Sequence, residues 1–588
     1  METTSAIART PTLRKRKLRI IAQDPAIRVG GKILTAEVHV PAEELAPGPW
    51  GHRVQVIDYD ASSDTLFKPL EYKPGKNGEA ADPFRNASDH RLLNDPGFHA
   101  QNVYAISMRV LARFERALGR RVSWSFNGHQ LKVAPHAFAD ANAFYSKNDQ
   151  ALMFGYFAGA GGETVCSCLS HDVVAHETTH ALVDGLRERY TDPSSPDQAA
   201  FHEGFSDVVA LLSVFALPDV VAALLDIEEA GKRTTSDRSR VARARLEPDA
   251  LRKSVLFGLA EQMGQEMSQV RGQALRRSTL LKPSPSHLGT EEFKQPHRRG
   301  EILVAVMLNA FIEVWSGRLN ALRQDEQSPL DRARVVEEGA RAADYLLTMT
   351  IRALDYSPPV HLDFRDFICA LLTADYEIRP DDSMYQFRRH LLQSFRRYGL
   401  RPTSPGSRTE PGIWLPPDKD LPGKPLDYSR THFEAMQRDP DEVFRFIWEN
   451  RAALRLFEGA FSRVLSVRPC LRIGEDGFAL RETVAEYMQI MELEARELGA
   501  LGIKAPKGMP AETNVRLYGG GVLIFDEYGG LKFHIHNRIN NAERQSVRVR
   551  HLFEYGYFNT GASRLRRFSH LHRMRALNAG RQPPEEWL

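Results

Sequence analysis

Cysteine is nearly absent. The 588 residues contain four: Cys166, Cys168, Cys369 and Cys470. Usage that low supplies no disulfide framework and fits a reducing compartment. An excess of one charge is absent too. The chain has 78 basic and 75 acidic residues, a net charge of +3, so no global field argues for nucleic acid. No uninterrupted run of about 18 apolar residues appears, so no stretch reads as a membrane span. The opening METTSAIARTPTLRKRKLRII carries the basic cluster Arg14-Lys15-Arg16-Lys17, but no apolar region of suitable length follows, and it is not expected to act as a secretory signal. There is no internal repeat and no low-complexity block. The expectation is a cytoplasmic globular protein with no membrane partner, nucleic acid disfavoured, and length for about three to four domains.

What is present is a change of period along the chain. LRIIAQ, KILTAEVHV and HRVQVIDYD, within 18–60, are short, β-branched and separated by turn residues, as strands are. Residues 1–80 are expected to form a β-rich N-terminal domain. The polar stretch at 73–89 reads as a linker. From Asn102 the spacing of Val103, Ile106, Val110, Leu111 and Phe114 is helical, and Gly119 ends it. VSWSF, LKVAPHAF and ALMFGYF read as strands, and 172–186 as a helix of about four turns. Helices then dominate to about residue 400. Residues 401–427 contain seven prolines and read as a linker or extended arm. A C-terminal α+β domain is expected over 428–588. The fold class is therefore α+β.

Within the helix at 172–186 stands His176-Glu177-Thr178-Thr179-His180, the pattern H-E-x-x-H. On a helix, residues i and i+4 share a face, so both imidazoles meet one ion. Glu177 lies one step round, placed to act on a water activated there. Zinc catalysis needs three protein ligands and an open position. Glu203, 23 residues after His180, supplies a carboxylate. Asp207, one turn later, is placed to accept from a ligand histidine and fix its tautomer. Acids at a helix start also favour the helix dipole, so these two residues have a bland reading as well.

AHETTHALVDG followed by HEGFSD resembles the thermolysin-like metallopeptidases, the gluzincins with two histidines and a distant glutamate. Their second motif is N-E-x-x-S-D. His202 stands here where Asn is usual, and about three extra residues separate the helices. The resemblance covers about 97–400. It implies a two-lobed catalytic domain, with a mixed β/α N-lobe and a helical C-lobe. It implies one Zn2+ held by His176, His180 and Glu203, with Glu177 as general base and Asp207 behind a ligand. NAFY, 142–145, is similar to the family's substrate-binding strand and assigns Asn142 and the Ala143 backbone to substrate. GQALRR points to Arg276 as a substrate-binding arginine. QPHRRGEIL and RERYTD point to His297 and Tyr190 as oxyanion donors. Asp172 matches a calcium ligand of secreted members, but Val214 occupies another such position, so calcium is not expected to be required.

The function expected from this resemblance is zinc-dependent endopeptidase action on proteins or peptides. One alternative is a catalytically weak zinc-bearing interaction protein acting through its flanking domains. An aminopeptidase-type relative is another, but no G-A-M-E-N-like stretch is present. Cys166-Ser167-Cys168 has the look of a metal or redox pair. No matching pair follows, and packing is the expectation. His534 and His536 are expected at the surface, and the basic 564–575 as a solvated end.

Overall fold

A computed structural model describes residues 15–73, 81–159, 161–192, 194–227, 239–253, 278, 280–322, 329–417, 425–474 and 476–558. The architecture is mixed α+β. Strands β1 (Lys15–Ile21) and β2 (Thr35–Pro41) pair antiparallel. A second sheet holds β3 (Val54–Val56), β4 (Leu131–Phe138), β5 (Ala143–Ser146), β6 (Ala151–Ala158) and β7 (Thr164–Cys166). Its order is β7-β6-β4-β3, and β5 also pairs with β6. The helices that follow its logic are α1 (Pro96–Leu118), α2 (His171–Leu186), α3 (Pro196–Phe215), α4 (Pro296–Ala321), α5 (Arg332–Arg352), α6 (Phe364–Ile378) and α7 (Phe387–Arg397).

The boundary expected after residue 80 does not separate two cores. β3 pairs in parallel with β4, and Leu18, Ile20, Val38 and Val54 share one buried cluster with the helices. These short strands lack a second apolar layer of their own, so they use α1 as that layer. The described part of the expected 73–89 linker is also docked: Asp82 accepts the Arg19 N–H at 2.6 Å and Phe84 is buried. VSWSF is irregular rather than a strand. There the α2 backbone presses on it, since a Cβ on Gly185 would lie against the Ser123 carbonyl.

Local signals set the helix ends. Asp95 caps α1 by accepting from the Gly97 N–H, with Pro96 at its first position and Gly119 closing it at φ 68°. Ser195 caps α3 in the same way through Gln198. Helix α4 is long and apolar enough to cross a membrane by composition, but 83% of its most apolar window is buried within the molecule. It packs against α3, α5 and α7. Gly204 of α3 and Gly300 of α4 meet without side chains; a Cβ on Gly204 would stand 2.8 Å from the Gly300 carbonyl oxygen. That contact brings the start of α4 to the middle of α3.

The C-terminal part is a four-stranded antiparallel sheet in the order β8 (Phe461–Ile473), β9 (Ala479–Glu494), β10 (Asn514–Phe525), β11 (Leu531–Asn537). Helix α8 (Pro440–Glu449) packs Val443, Phe446 and Ile447 against Leu523 and Phe525. The sheet docks on the helical body through buried charges. Asp355 accepts two bonds from Arg120, at 2.5 and 2.6 Å, and one from Arg472 at 2.5 Å. Arg472 is fully buried and also meets Glu482; Arg187 meets Glu486 at 2.6 Å. Each buried charge has its partner, the condition under which such groups are tolerated. The proline-rich stretch is a strap and not a free linker over its described part: Trp414 donates to the Tyr356 carbonyl, and Ser404 to that of Ile413. His534 and His536 are half-buried, stacked at 4.2 Å, with Tyr487 bonded to His534. The basic 564–575 lies outside the described residues.

Candidate metal centre

Helix α2 is buried on nearly every face. His176 and His180 follow one another along it with ring centroids 4.4 Å apart. Glu203 comes from α3, which packs alongside. Its Oε2 lies 3.5 Å from His176 Nε2 and its Oε1 3.6 Å from His180 Nε2. Zinc bonds of about 2.0–2.1 Å in tetrahedral geometry place ligand atoms about 3.4 Å apart. The donor set and spacing therefore fit one zinc-class cation. One ligand atom from each of the three residues lies within 4.8 Å of the others.

Behind these atoms the rings are held. His176 donates from Nδ1 to Asp207 Oδ1 at 2.7 Å. That fixes the tautomer and leaves Nε2 as a lone pair. His180 Nδ1 lies 2.6 Å from His202 Nδ1, with the rings stacked at 4.7 Å, and 3.2 Å from Ser206 Oγ. Burial lowers the pKa of His202 to about 4, so it is neutral at pH 7. The tautomer that turns a His180 Nε2 lone pair inward makes His202 the acceptor. Sequence reasoning met His202 only as a departure from a motif. Its place next to Glu203, and i,i+4 from Ser206, was the available signal.

Glu177 is fully buried and accepts the Tyr145 backbone N–H at 3.0 Å. Strand β5 thus lies over the start of the metal helix. Asn142, just before β5, binds the Ala143 N–H at 2.7 Å. Its Nδ2 is buried with no hydrogen-bond partner among the described residues. His297 begins α4, and its Nδ1 is 3.3 Å from Glu203 Oε2, with the side chain 42% exposed. The Gly204–Gly300 contact is what delivers it there. Asp172 accepts from Ser170, whose hydroxyl also lies 2.9 Å from Asp24; burial, with Asp172 nearby, lifts Asp24 to a pKa of about 6.

Tyr190 is not brought to this group. It is fully buried, packs on Phe201, and donates its hydroxyl to the Pro358 carbonyl at 2.8 Å. The oxyanion role expected of it has no geometric support, because its hydroxyl is engaged by the Pro358 carbonyl, with Arg187 and Ser357 beside it. Arg276 lies outside the described residues.

No family model matches the chain, and no curated protein matches it.

Proposed function

We propose that the protein is a zinc-dependent metalloendopeptidase of the thermolysin type, working in a reducing, cytoplasmic setting on protein or peptide substrates. The observation that carries this reading is the convergence of His176, His180 and Glu203 with Glu177 beside an edge strand. Two histidines and a glutamate alone make a metal site. A buried acid one residue after the first ligand, and facing a strand, suits a site that handles a peptide.

Zinc, when bound, supplies Lewis acidity toward water and a substrate carbonyl. The chain's own residues do the rest. Glu177 takes a proton from the attacking water and returns it to the leaving amine. Its bond from Tyr145 N–H holds the carboxylate in register with β5. An extended substrate is proposed to lie along β5, next to Asn142, whose buried Nδ2 has no hydrogen-bond partner among the described residues. His297, half-exposed at the start of α4, donates to the developing oxyanion. Asp207 and His202 keep the two ligand imidazoles in the tautomer the ion needs.

The decisive experiment compares peptide cleavage by wild type and Glu177→Gln, with zinc measured in both. A fall of about 10²–10⁴-fold at unchanged zinc is expected. Equal activity overturns the mechanism. Bound zinc with no cleavage of a broad peptide library in wild type overturns the peptidase assignment.

A further inference from the structure

A second group of ligand-type side chains lies in the sheet-bearing half, and nothing in the peptidase reading uses it. His99 of α1, His136 of β4 and Cys166 of β7 bring one nitrogen or sulfur each within 4.8 Å of the others. His99 and His136 are buried, at 3% and 6% exposure. Cys166 is half-buried and free.

The outer nitrogens of both rings are already committed. His99 Nε2 lies 3.0 Å from the Leu93 carbonyl oxygen, which only accepts. His136 Nδ1 lies 3.0 and 2.9 Å from the two oxygens of Asp58. Each outer nitrogen therefore carries its hydrogen, and the inner nitrogens are turned toward each other. The two inner nitrogens, His99 Nδ1 and His136 Nε2, stand 2.8 Å apart. That is the separation of an N–H···N hydrogen bond, and a metal ion bound there would send the bridging proton to solvent. Cys166 presents its sulfur to the same point. A carbonyl and a carboxylate behind the two rings are the supports that metal-binding histidines usually have. Phe67 and Tyr156 pack the His136 ring from other directions.

We infer that His99 Nδ1, His136 Nε2 and Cys166 Sγ form a second metal site, of a type suited to a zinc-class divalent cation, that fastens α1 to β4 and β7. Two imidazoles and a thiolate are a borderline-to-soft set, which selects zinc over magnesium or calcium. Binding needs the two rings to part by about 0.5 Å to reach tetrahedral spacing. The Cys166 sulfur enters as thiolate, and any thiol proton passes to solvent. Cys166 lies five residues before the start of α2. The ion therefore anchors the corner from which the peptidase-type helix departs.

The test is metal content and cobalt spectroscopy on the full chain. The His176–His180–Glu203 group contains no sulfur, so a thiolate-to-cobalt charge-transfer band in cobalt-loaded wild type reports only the second site. That band is expected in wild type and in Glu203→Ala, and is expected to vanish in Cys166→Ser together with one metal equivalent. Absence of the band in cobalt-loaded wild type overturns the inference. So does a Cys166→Ser protein that binds as much metal as wild type. Zinc-saturated wild type in which Cys166 alkylates as fast as in chelated protein overturns it too, and points to a nucleophilic thiol. None of these outcomes depends on peptide cleavage.

Discussion

The two histidine clusters are built by one rule and presented by the sequence in opposite ways. In each, two imidazoles turn one nitrogen inward while an acceptor fixes the other: Asp207 and His202 in the helical cluster, Asp58 and the Leu93 carbonyl in the sheet cluster. In the helical cluster both histidines lie on one helix, so a spacing of four residues announces them. In the sheet cluster His99 and His136 are 37 positions apart and come from a helix and a strand. Only the parallel pairing of β3, β4 and β6, with α1 packed against them, brings these residues together. Local spacing reveals a site that one element carries. A site assembled by topology has no such signature.

The comparison breaks most visibly if the clusters prove interdependent. Glu203→Ala removes the third ligand, which catalytic zinc requires. Peptide cleavage is expected to fall to background with one metal equivalent lost. The sheet cluster should keep its ion. Loss of both metals on this single substitution, in a protein that still folds, would show one shared site and not two.

This contrast also explains what was legible in the chain. His176, Glu177, His180, Glu203 and Asp207 were readable because each lies within two short helical motifs whose periodicity is set by the backbone. The strand and helix runs were readable for the same reason. Tyr190 was misplaced because position relative to a motif says nothing of where a hydroxyl turns, and the Pro358 carbonyl satisfies it. Cys166-Ser167-Cys168 has no second cysteine pair in the sequence to complete a site. The partners are histidines from distant elements. The N-terminal strands were legible but their packing was not: a two-stranded hairpin such as β1–β2 is marginal alone, and it shares one buried cluster with α1.

A paired substitution sharpens the comparison at the next level of effect. Asp207→Asn and Asp58→Asn each replace a carboxylate behind a ligand imidazole. Each is expected to weaken zinc affinity by about 10–100-fold at its own cluster and leave the other unchanged, read by competition with a chromophoric chelator. An effect of Asp58→Asn on cleavage equal to that of Asp207→Asn would mean the sheet cluster governs the helical one.

Removal of both metals by a chelator should act unequally on stability. An ion bound only by the folded state adds about 2.7 kcal/mol at a hundredfold excess over its Kd. The sheet cluster ties three elements, the helical one two already packed helices. Chelated Glu203→Ala is therefore expected to lose more in melting temperature than chelated Cys166→Ser, each relative to its own zinc-loaded form. The reverse order would assign the structural role to the helical site.

The smallest expected effect belongs to His202. His180 has two acceptors within reach of Nδ1: His202 at 2.6 Å and Ser206 at 3.2 Å. His202 is neutral because burial holds its pKa near 4, so its bond lacks the charge that strengthens the one from His176 to Asp207, and charge-assisted bonds are about twice as strong. Substitution by Asn, the residue usual in the resembling family, leaves Ser206 to take the hydrogen. His202→Asn should therefore weaken zinc affinity by less than about tenfold, below the Asp207→Asn loss, with the thiolate-to-cobalt band of the other cluster intact. A loss larger than that of Asp207→Asn would show that the stacked His202 ring, and not its hydrogen bond alone, sets where His180 points.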